Sequence, residues 1–462
     1  MSEMNSFFFY HKNSEVLEPP TPRYMGGDTM ETIHVKESTI IRPAQETPRH
    51  CLRLSDLDLL MPASHIPSVY FYRGPNYPCN FFEGGLLKEA LSKVLVPFYP
   101  LAGRLGKDEN GRIEIKCKGE GVLFIEAETS YVTDDFGDFE SSSKLVQLVP
   151  PVDRTKDACF HPLIMAQVTH FKCGGVSLGL MMHHTSMDGT TAYHFMNSWA
   201  EMTRGIPISV PPIFDRTILD VGVSTSPSFH HIEYDPPPSM NTPTQNPQAI
   251  STAILKLSPD QMNILKEKSK GDHGSTVKYT RFEIVAAHIW RCACKARGLS
   301  IDQATKLEIP TSGRFKLNPK IPLGYCGNVN FSATPMALSG DIQSESLNCT
   351  TERIHEAIKL RDDKYMKSGL AYLKQQPDLT VIRRDPKIIN CPNLLITKVA
   401  DMPMYEVDFG WGRPVFTTPW AAVDGEIFIL PGPTNDGSWL VVVDMETNHL
   451  QHFNKYFYDI FP

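Results

Sequence analysis

The stretch GVSLGLMMHHTSMDGTTAYHF, residues 175–195, sets two candidate chemistries side by side. Gly175, Ser177 and Gly179 fit the Gly-x-Ser-x-Gly pattern of a serine nucleophile elbow, whereas His184 and Asp188 offer a general base and a carboxylate four residues apart. An elbow needs strand, sharp turn and helix in that order, with the serine on the turn. Here Val176, Leu178, Leu180 and Met182 alternate with Ser177 and Gly179 straight through the pattern, so Ser177 falls inside a strand. It reads as a packed strand residue, and a serine hydrolase is a remote alternative. His184 stands at the end of that strand. A helix follows from near Asp188, with Ala192, Phe195, Met196, Trp199 and Met202 at helical spacing until Gly205. An imidazole so placed can take a proton near neutral pH. Asp188 could orient the ring or brace the loop by a salt bridge. On this feature alone a structural histidine is an equal reading. A metal held by His183, His184 and Asp188 matches none of the zinc spacings, and no metal is expected.

The second conspicuous stretch is YEVDFGWGRPVF, residues 405–416, where Gly410 and Gly412 flank Trp411 ahead of Arg413 and Pro414. Taken alone it predicts a tight turn whose aromatics pack at a domain junction.

The elements that must position these residues can be read from hydrophobic periodicity. TIHVKESTII, GRIEIKC and GVLFIEAE alternate as strands, and LLKEALSKVLVPF repeats as a helix. HPLIMAQVTHFKCGGVSLGLMMHH reads as a hairpin turning at KCGG. Proline then becomes dense across 206–250, which cannot make regular helix or a central strand. Beyond it, Ser258-Pro259 opens a helix, and TRFEIVAAHIWRCACKARG is an amphipathic helix closed by Gly298. The fold class is α/β with mixed rather than doubly wound sheets. The expected organisation is an N-terminal extension over 1–30, a domain over 31–205, a proline-rich crossover over 206–250 and a second domain over 251–462. Residues 1–29 read as poorly ordered, with Met30 as an alternative start.

The 462 residues suffice for two large domains, and a net charge of −7 argues against a general nucleic-acid binder. No apolar run reaches the roughly 18–20 residues needed to span a bilayer, and the N-terminus lacks the basic segment and apolar run of a signal peptide. A cytoplasmic protein is expected. The ten cysteines form no paired zinc pattern and read as reduced thiols.

Together, HTSMDG at 184–189 and DFGWG at 408–412 resemble the signature pair of the plant BAHD acyl-CoA-dependent acyltransferases, over nearly the whole chain from about residue 31. YPLAGRLGKDENGRIEI and SGRFKLNPKIPLGYCGNV also match. Within that family VKESTIIRPAQETP, PSVYFYR, VTHFKCGGVSLG and IWRCACKARGL look most like the hydroxycinnamoyl-CoA shikimate/quinate hydroxycinnamoyltransferases, and rosmarinate-forming relatives are similar.

The resemblance implies two chloramphenicol-acetyltransferase-like domains with a solvent channel between them, acyl-CoA entering from one face and the acceptor from the other. His184 would deprotonate the acceptor, which attacks the thioester carbonyl directly; the motif also brings Asp408 into the catalytic set, although a structural role suits its place off the reaction centre. Asp188 would pair with Arg314 and hold the loop, with Gly189 permitting its turn. Gly410, Trp411 and Gly412 would be structural. Ser269, Lys270, Ser275 and Thr276 would meet CoA, with an exposed helix end as the equal reading. Ser68, Tyr70, Arg384 and Thr397 would meet the acceptor. Ile66, Lys398 and Val399 stand where the family carries a threonine, a serine and a tryptophan, which would leave the pocket less polar on one wall and roomier on another. The implied activity is transfer of a hydroxycinnamoyl group from CoA to the hydroxyl of a small carboxylate-bearing acceptor. The resemblance also implies that no cofactor is tightly bound, that acyl-CoA is the co-substrate and that the chain acts as a monomer. The alternatives are another acceptor, such as an aromatic hydroxy acid, an alcohol or an amine, and a catalytically silent binding homologue.

Overall fold

The computed structural model describes residues 33–74, 80–136, 142–153, 158–220, 222–241, 249–271, 277–384, 389–419, 423–434 and 436–461. Ser275, Thr276, Cys79 and the N-terminal extension lie outside the described residues.

The first half supplies β1 (His34–Ile41), β2 (His50–Arg53), β3 (His65–Tyr72), β4 (Arg104–Lys107), β5 (Ile113–Cys117), β6 (Val122–Thr129), β7 (Ile164–Phe171) and β8 (Val176–His183). The second supplies β9 (Ile250–Leu257), β10 (Ala304–Ser312), β11 (Asn330–Ala333), β12 (Met336–Leu338), β13 (Leu394–Lys398), β14 (Phe416–Pro419), β15 (Glu426–Pro431) and β16 (Trp439–Glu446). The N-terminal sheet runs β1-β6-β7-β8-β3-β14, the C-terminal sheet β11-β10-β13-β15-β16-β9 with β12 paired to β10, and β2-β5-β4 form a small third sheet. Parallel pairs, β6 with β7 and β13 with β10 and β15, sit among antiparallel ones. The sheets are mixed, as expected.

The β7–β8 hairpin turns with Gly174 at φ +82°, a left-handed conformation that glycine adopts without steric cost. Ser177 lies between Phe71 and Thr169 in the paired ladder and is fully buried. Gly179 belongs to packing rather than to an elbow: a Cβ there would lie 1.8 Å from the Leu148 carbonyl oxygen. Beyond β8 the helix Gly189–Thr203 buries Phe195, Met196 and Trp199 against this sheet. Each such side chain is worth about 1.5–3 kcal/mol. The Trp199 indole donates to the Leu87 carbonyl at 3.0 Å, tying this helix to Gly84–Val94.

The expected helices at Pro259–Lys268 and Arg281–Ala296 begin with capping boxes at Ser258 and Thr280. The described part of 206–250 carries only the 3-10 turns Arg216–Asp220 and Ile232–Tyr234 before β9 begins at Ile250. One boundary differs from expectation. β14 pairs with β3, Thr417 opposite Tyr70, so the chain leaves the C-terminal sheet after β13 and completes the N-terminal one. Val399, Met404, Val407, Phe409 and Phe416 therefore share the first half's core. Among the described residues no helix is long and apolar enough to cross a membrane.

Candidate active site

His184 opens the 3-10 turn His184–Ser186 directly after β8. Its backbone is held on both sides. The His184 amide donates to the Ser64 carbonyl at 3.0 Å, and its carbonyl accepts from Asn328 Nδ2 at 2.9 Å. Nδ1 is buried and makes no hydrogen bond of regular geometry. Burial lowers the ring's pKa below 6.5, helped by the positive charge of Arg384, while its own carbonyl, Asp188 and Asn328 act in the opposite sense. The imidazole is therefore neutral at pH 7, the state a general base requires.

Asp188 points away from that ring. It caps the helix Gly189–Thr203 by accepting from the Thr191 amide at 2.9 Å, and its two oxygens take Arg314 Nη2 at 2.8 and 2.9 Å. Arg314 also donates to the Tyr325 and Gly327 carbonyls. Both side chains are almost wholly buried. This places the pair as the brace between the loop after β8 and the segment 313–329. Gly189 has an ordinary negative φ, so the turn does not need it. What it supplies is room, because a Cβ would come within 3.0 Å of the Met402 sulfur.

Asp408 lies within its own turn. Its Oδ1 accepts from the Gly410 and Gly412 amides at 2.8 and 2.9 Å, and both glycines adopt left-handed φ of +106° and +103°. Phe409 packs edge-on against Trp199 at 5.1 Å, and Trp411 lies 5.0 Å from Phe82. The carboxylate organises a turn whose aromatics fasten the crossing chain to the first half.

The residues expected to meet the acceptor come from both halves. Ser68 and Tyr70 share one face of β3, and buried Tyr70 has Tyr193 and Thr417 as hydroxyl neighbours. Arg384 is anchored by its amide on the Leu60 carbonyl at 2.8 Å, and its Nη1 touches the Met61 sulfur at 3.9 Å. Residues 61–64 also flank His184, through Thr185 Oγ1 to the Pro62 carbonyl and His184 N to that of Ser64. Thr397 sits opposite Phe428, on the face of the C-terminal sheet turned to the first half's core.

The Transferase family profile matches residues 31–460. A shikimate O-hydroxycinnamoyltransferase from Nicotiana tabacum is 50% identical over 434 residues, covering 92% of this chain and 99% of its own. The chain belongs to this transferase family, the BAHD acyltransferases. A rosmarinate synthase from Plectranthus scutellarioides is 43% identical over 93% of this chain and 100% of its own. A hydroxycinnamoyl-CoA:5-hydroxyanthranilate N-hydroxycinnamoyltransferase from Avena sativa is 42% identical, with the same coverage. The BAHD fold is also that of two solved structures. Vinorine synthase has a TM-score of 0.71 at 20% identity, covering 91% of this chain and 96% of its own. F. graminearum TRI101, solved with coenzyme A and deoxynivalenol, has a TM-score of 0.70 at 16% identity, covering 87% and 96%.

Two residues of this BAHD chain face elsewhere than the sequence reading placed them. The Lys398 ammonium pairs with Asp401 and lies over Phe282 and Trp439, on the sheet face opposite Thr397, not on the face where the expected pocket wall would be. The Ser269 hydroxyl is turned inward to the Lys266 carbonyl at 2.8 Å and is buried, while Lys270 is exposed beside Glu267. Of the described donor-side candidates, Lys270 alone offers a cation at the surface, and that ammonium is paired with Glu267.

Sequence reasoning passed over Asp58, Asn328 and Arg216. Fully buried Asp58 accepts from both the backbone and side-chain amides of Asn328 at 2.7 and 2.9 Å and from Arg216 Nε at 2.7 Å. Through Asn328 this carboxylate supports the His184 carbonyl. The one local signal was the capping box of Ser55 with Asp58, which explains an aspartate there without revealing its distant partners.

Proposed function

We propose that this chain transfers a hydroxycinnamoyl group from its CoA thioester to the hydroxyl of a small carboxylate-bearing acceptor of the shikimate/quinate class. The observation that carries the reading is a neutral His184, fixed by its backbone at the end of β8, with the Arg384 guanidinium on the neighbouring segment. The named relatives support the donor, and shikimate and hydroxyanthranilate, the acceptors in two of those names, are carboxylic acids. The coenzyme A in the TRI101 complex supports the thioester.

In this reading Nε2 of His184 takes the proton of the acceptor hydroxyl as its oxygen attacks the thioester carbonyl. The C–O bond forms, the tetrahedral intermediate collapses, the C–S bond breaks, and the proton passes to the departing CoA thiolate. No enzyme nucleophile is needed, in keeping with a buried Ser177. General-base action is worth about 10²–10⁴-fold, and positioning both substrates supplies the remainder. Arg384 holds the acceptor carboxylate, Ser68, Tyr70 and Thr397 line its site, and Lys270 with Ser275 and Thr276 serves the donor end. Asp188 and Asp408 act through structure.

The test is purified protein with p-coumaroyl-CoA and a panel of shikimate, quinate, aromatic hydroxy acids and amines, read by mass spectrometry, alongside His184→Ala. Acylated shikimate or quinate is expected, and kcat in the alanine variant should fall more than tenfold. A variant keeping more than a tenth of wild-type kcat overturns the general base. An amine as the best acceptor overturns the acceptor class.

A further inference from the structure

The guanidinium proposed to grip the acceptor's carboxylate already holds one. Arg384 Nε lies 2.9 Å from Glu308 Oε1. Its Nη2 donates to Ser332 Oγ, and that hydroxyl donates to the same Glu308 oxygen at 2.6 Å. The result is a closed triangle of base, acid and hydroxyl, with the two charged side chains only 15% and 11% exposed. An arginine binds a carboxylate best along an edge carrying two parallel N–H donors. Of the two such edges on a guanidinium, Glu308 and Ser332 occupy Nε–Nη2, and on the other Nη1 lies against the Met61 sulfur.

Glu308 reaches this position from β10. Its register partner is Leu395 on β13, which shares its sheet face with Thr397, two residues on. The carboxylate thus projects from the wall that carries the acceptor-side threonine. Its surroundings are acidic, since Glu426, pushed up to about 8 by burial and by the charges of Asp444 and Glu308, belongs to the same neighbourhood. The cation on Glu308's own strand face is Lys306, whose ammonium is engaged by the Ile232 and Asp235 carbonyls.

We infer that Glu308 is a specificity-determining residue: an internal carboxylate that occupies Arg384 and sets the affinity for carboxylate-bearing acceptors by competing with them. An acid arriving at the Nε–Nη2 edge exchanges with Glu308, and one arriving at the Nη1–Nη2 edge meets a guanidinium whose charge Glu308 already offsets, so in either case part of its binding energy is lost to the internal carboxylate. An acceptor of the same shape without the charge meets no such competitor. The inference rests on Arg384 being the acceptor clamp, as proposed above.

The experiment compares shikimate with its methyl ester, which keeps the hydroxyls and lacks the charge, at saturating p-coumaroyl-CoA with the full chain. In Glu308→Gln, kcat/KM for shikimate should rise about tenfold through KM, while the ester stays within about twofold and the donor KM does not move. Ser332→Ala loosens the triangle without removing a charge and should shift the shikimate/ester ratio the same way by less. Because the glutamine variant leaves Arg384 without its counterion, shikimate should raise its Tm more than it raises that of the wild type. If Glu308 merely anchors Arg384, both variants will weaken shikimate binding, and that sign overturns the inference. Arg384→Lys separates the two levels. A ratio lowered by Arg384→Lys yet unmoved by Glu308→Gln and Ser332→Ala defeats the competitor alone, whereas a ratio indifferent to Arg384→Lys defeats the clamp and the competitor with it.

Discussion

Asp188→Ala removes the carboxylate that takes Arg314 Nη2 at 2.8 and 2.9 Å, caps Thr191 at 2.9 Å and accepts from the Val329 amide at 3.2 Å. Arg314 would keep the Tyr325 and Gly327 carbonyls but remain 4% exposed with its charge unpaired. Breaking a buried pair from one side costs about 3–5 kcal/mol, and the lost helix cap, drawn from the same oxygens, overlaps with that figure. Unfolding entropy scaled to one or both halves of this chain gives about 1–2 °C of Tm per kcal/mol, so the expected loss is roughly 3–10 °C. The same brace sets the turn that begins at His184, and a displacement of its imidazole by about 1 Å can lower kcat by about 10²-fold. Differential scanning calorimetry of Asp188→Ala, Arg314→Met and the double variant, with kcat for each, measures both effects. The double variant should recover more than about 1 kcal/mol relative to the sum of the single losses. Single losses that add to within about 0.5 kcal/mol would refute the pairing. An Asp188→Ala protein with wild-type Tm and no activity would move Asp188 into the chemistry.

Four further outcomes are expected. Ser177→Ala should keep its activity and fold, since the buried hydroxyl has no hydrogen-bond partner among the described residues; a folded but inactive variant would revive a serine nucleophile. Asp408→Ala should cost about 0.5–1.5 kcal/mol, because the exposed Gly410 and Gly412 amides can turn to water, with kcat within a few fold of wild type, and a large kcat loss at unchanged Tm would contradict the structural role. The acid limb of kcat/KM should fall below pH 6.5, because the neutral form of His184 is favoured in the fold; a limb centred above 6.5 would contradict the burial argument. Stability should follow a related course. Buried His288 and half-buried His65 are held down to about 4, so between 6.5 and 4 the unfolded chain binds protons that the folded chain refuses. Their contribution is complete above 6.5 and declines as pH falls towards 4, by roughly 3 kcal/mol for His288 alone. Urea titrations at pH 7, 5.5 and 4.5 read this directly, and a flat profile would refute it.

Local order was legible because it is written in neighbouring residues. The alternation through Val176–His183 announced β8 and took Ser177 out of contention, KCGG marked the hairpin, and Ser258 and Thr280 opened their helices by reaching only as far as the next turn. The place of His184 between strand and helix was legible for the same reason, but only the family resemblance raised it above a structural histidine. The pairing of Asp188 with Arg314 came from family resemblance rather than from spacing. What the tertiary structure alone decided are the contacts that join residues far apart in the chain. β14 crosses from the C-terminal half to pair with β3, because a strand edge accepts any partner whose register buries its face, and no local pattern specifies which. Asp58 supports His184 through Asn328 across 270 residues of sequence. Lys398 turns away from the acceptor side because side chains in a strand alternate, and its neighbours placed Thr397 on the inner face. Arg384 meets Glu308 because β10 and the segment after the helix Asp363–Lys374 converge there. The β14–β3 pairing and the Asp58–Asn328 contact form only once the two halves have folded onto each other, and Arg384 meets Glu308 only once the second half has folded, since the attraction between charges falls away with distance and is screened by water until burial removes it.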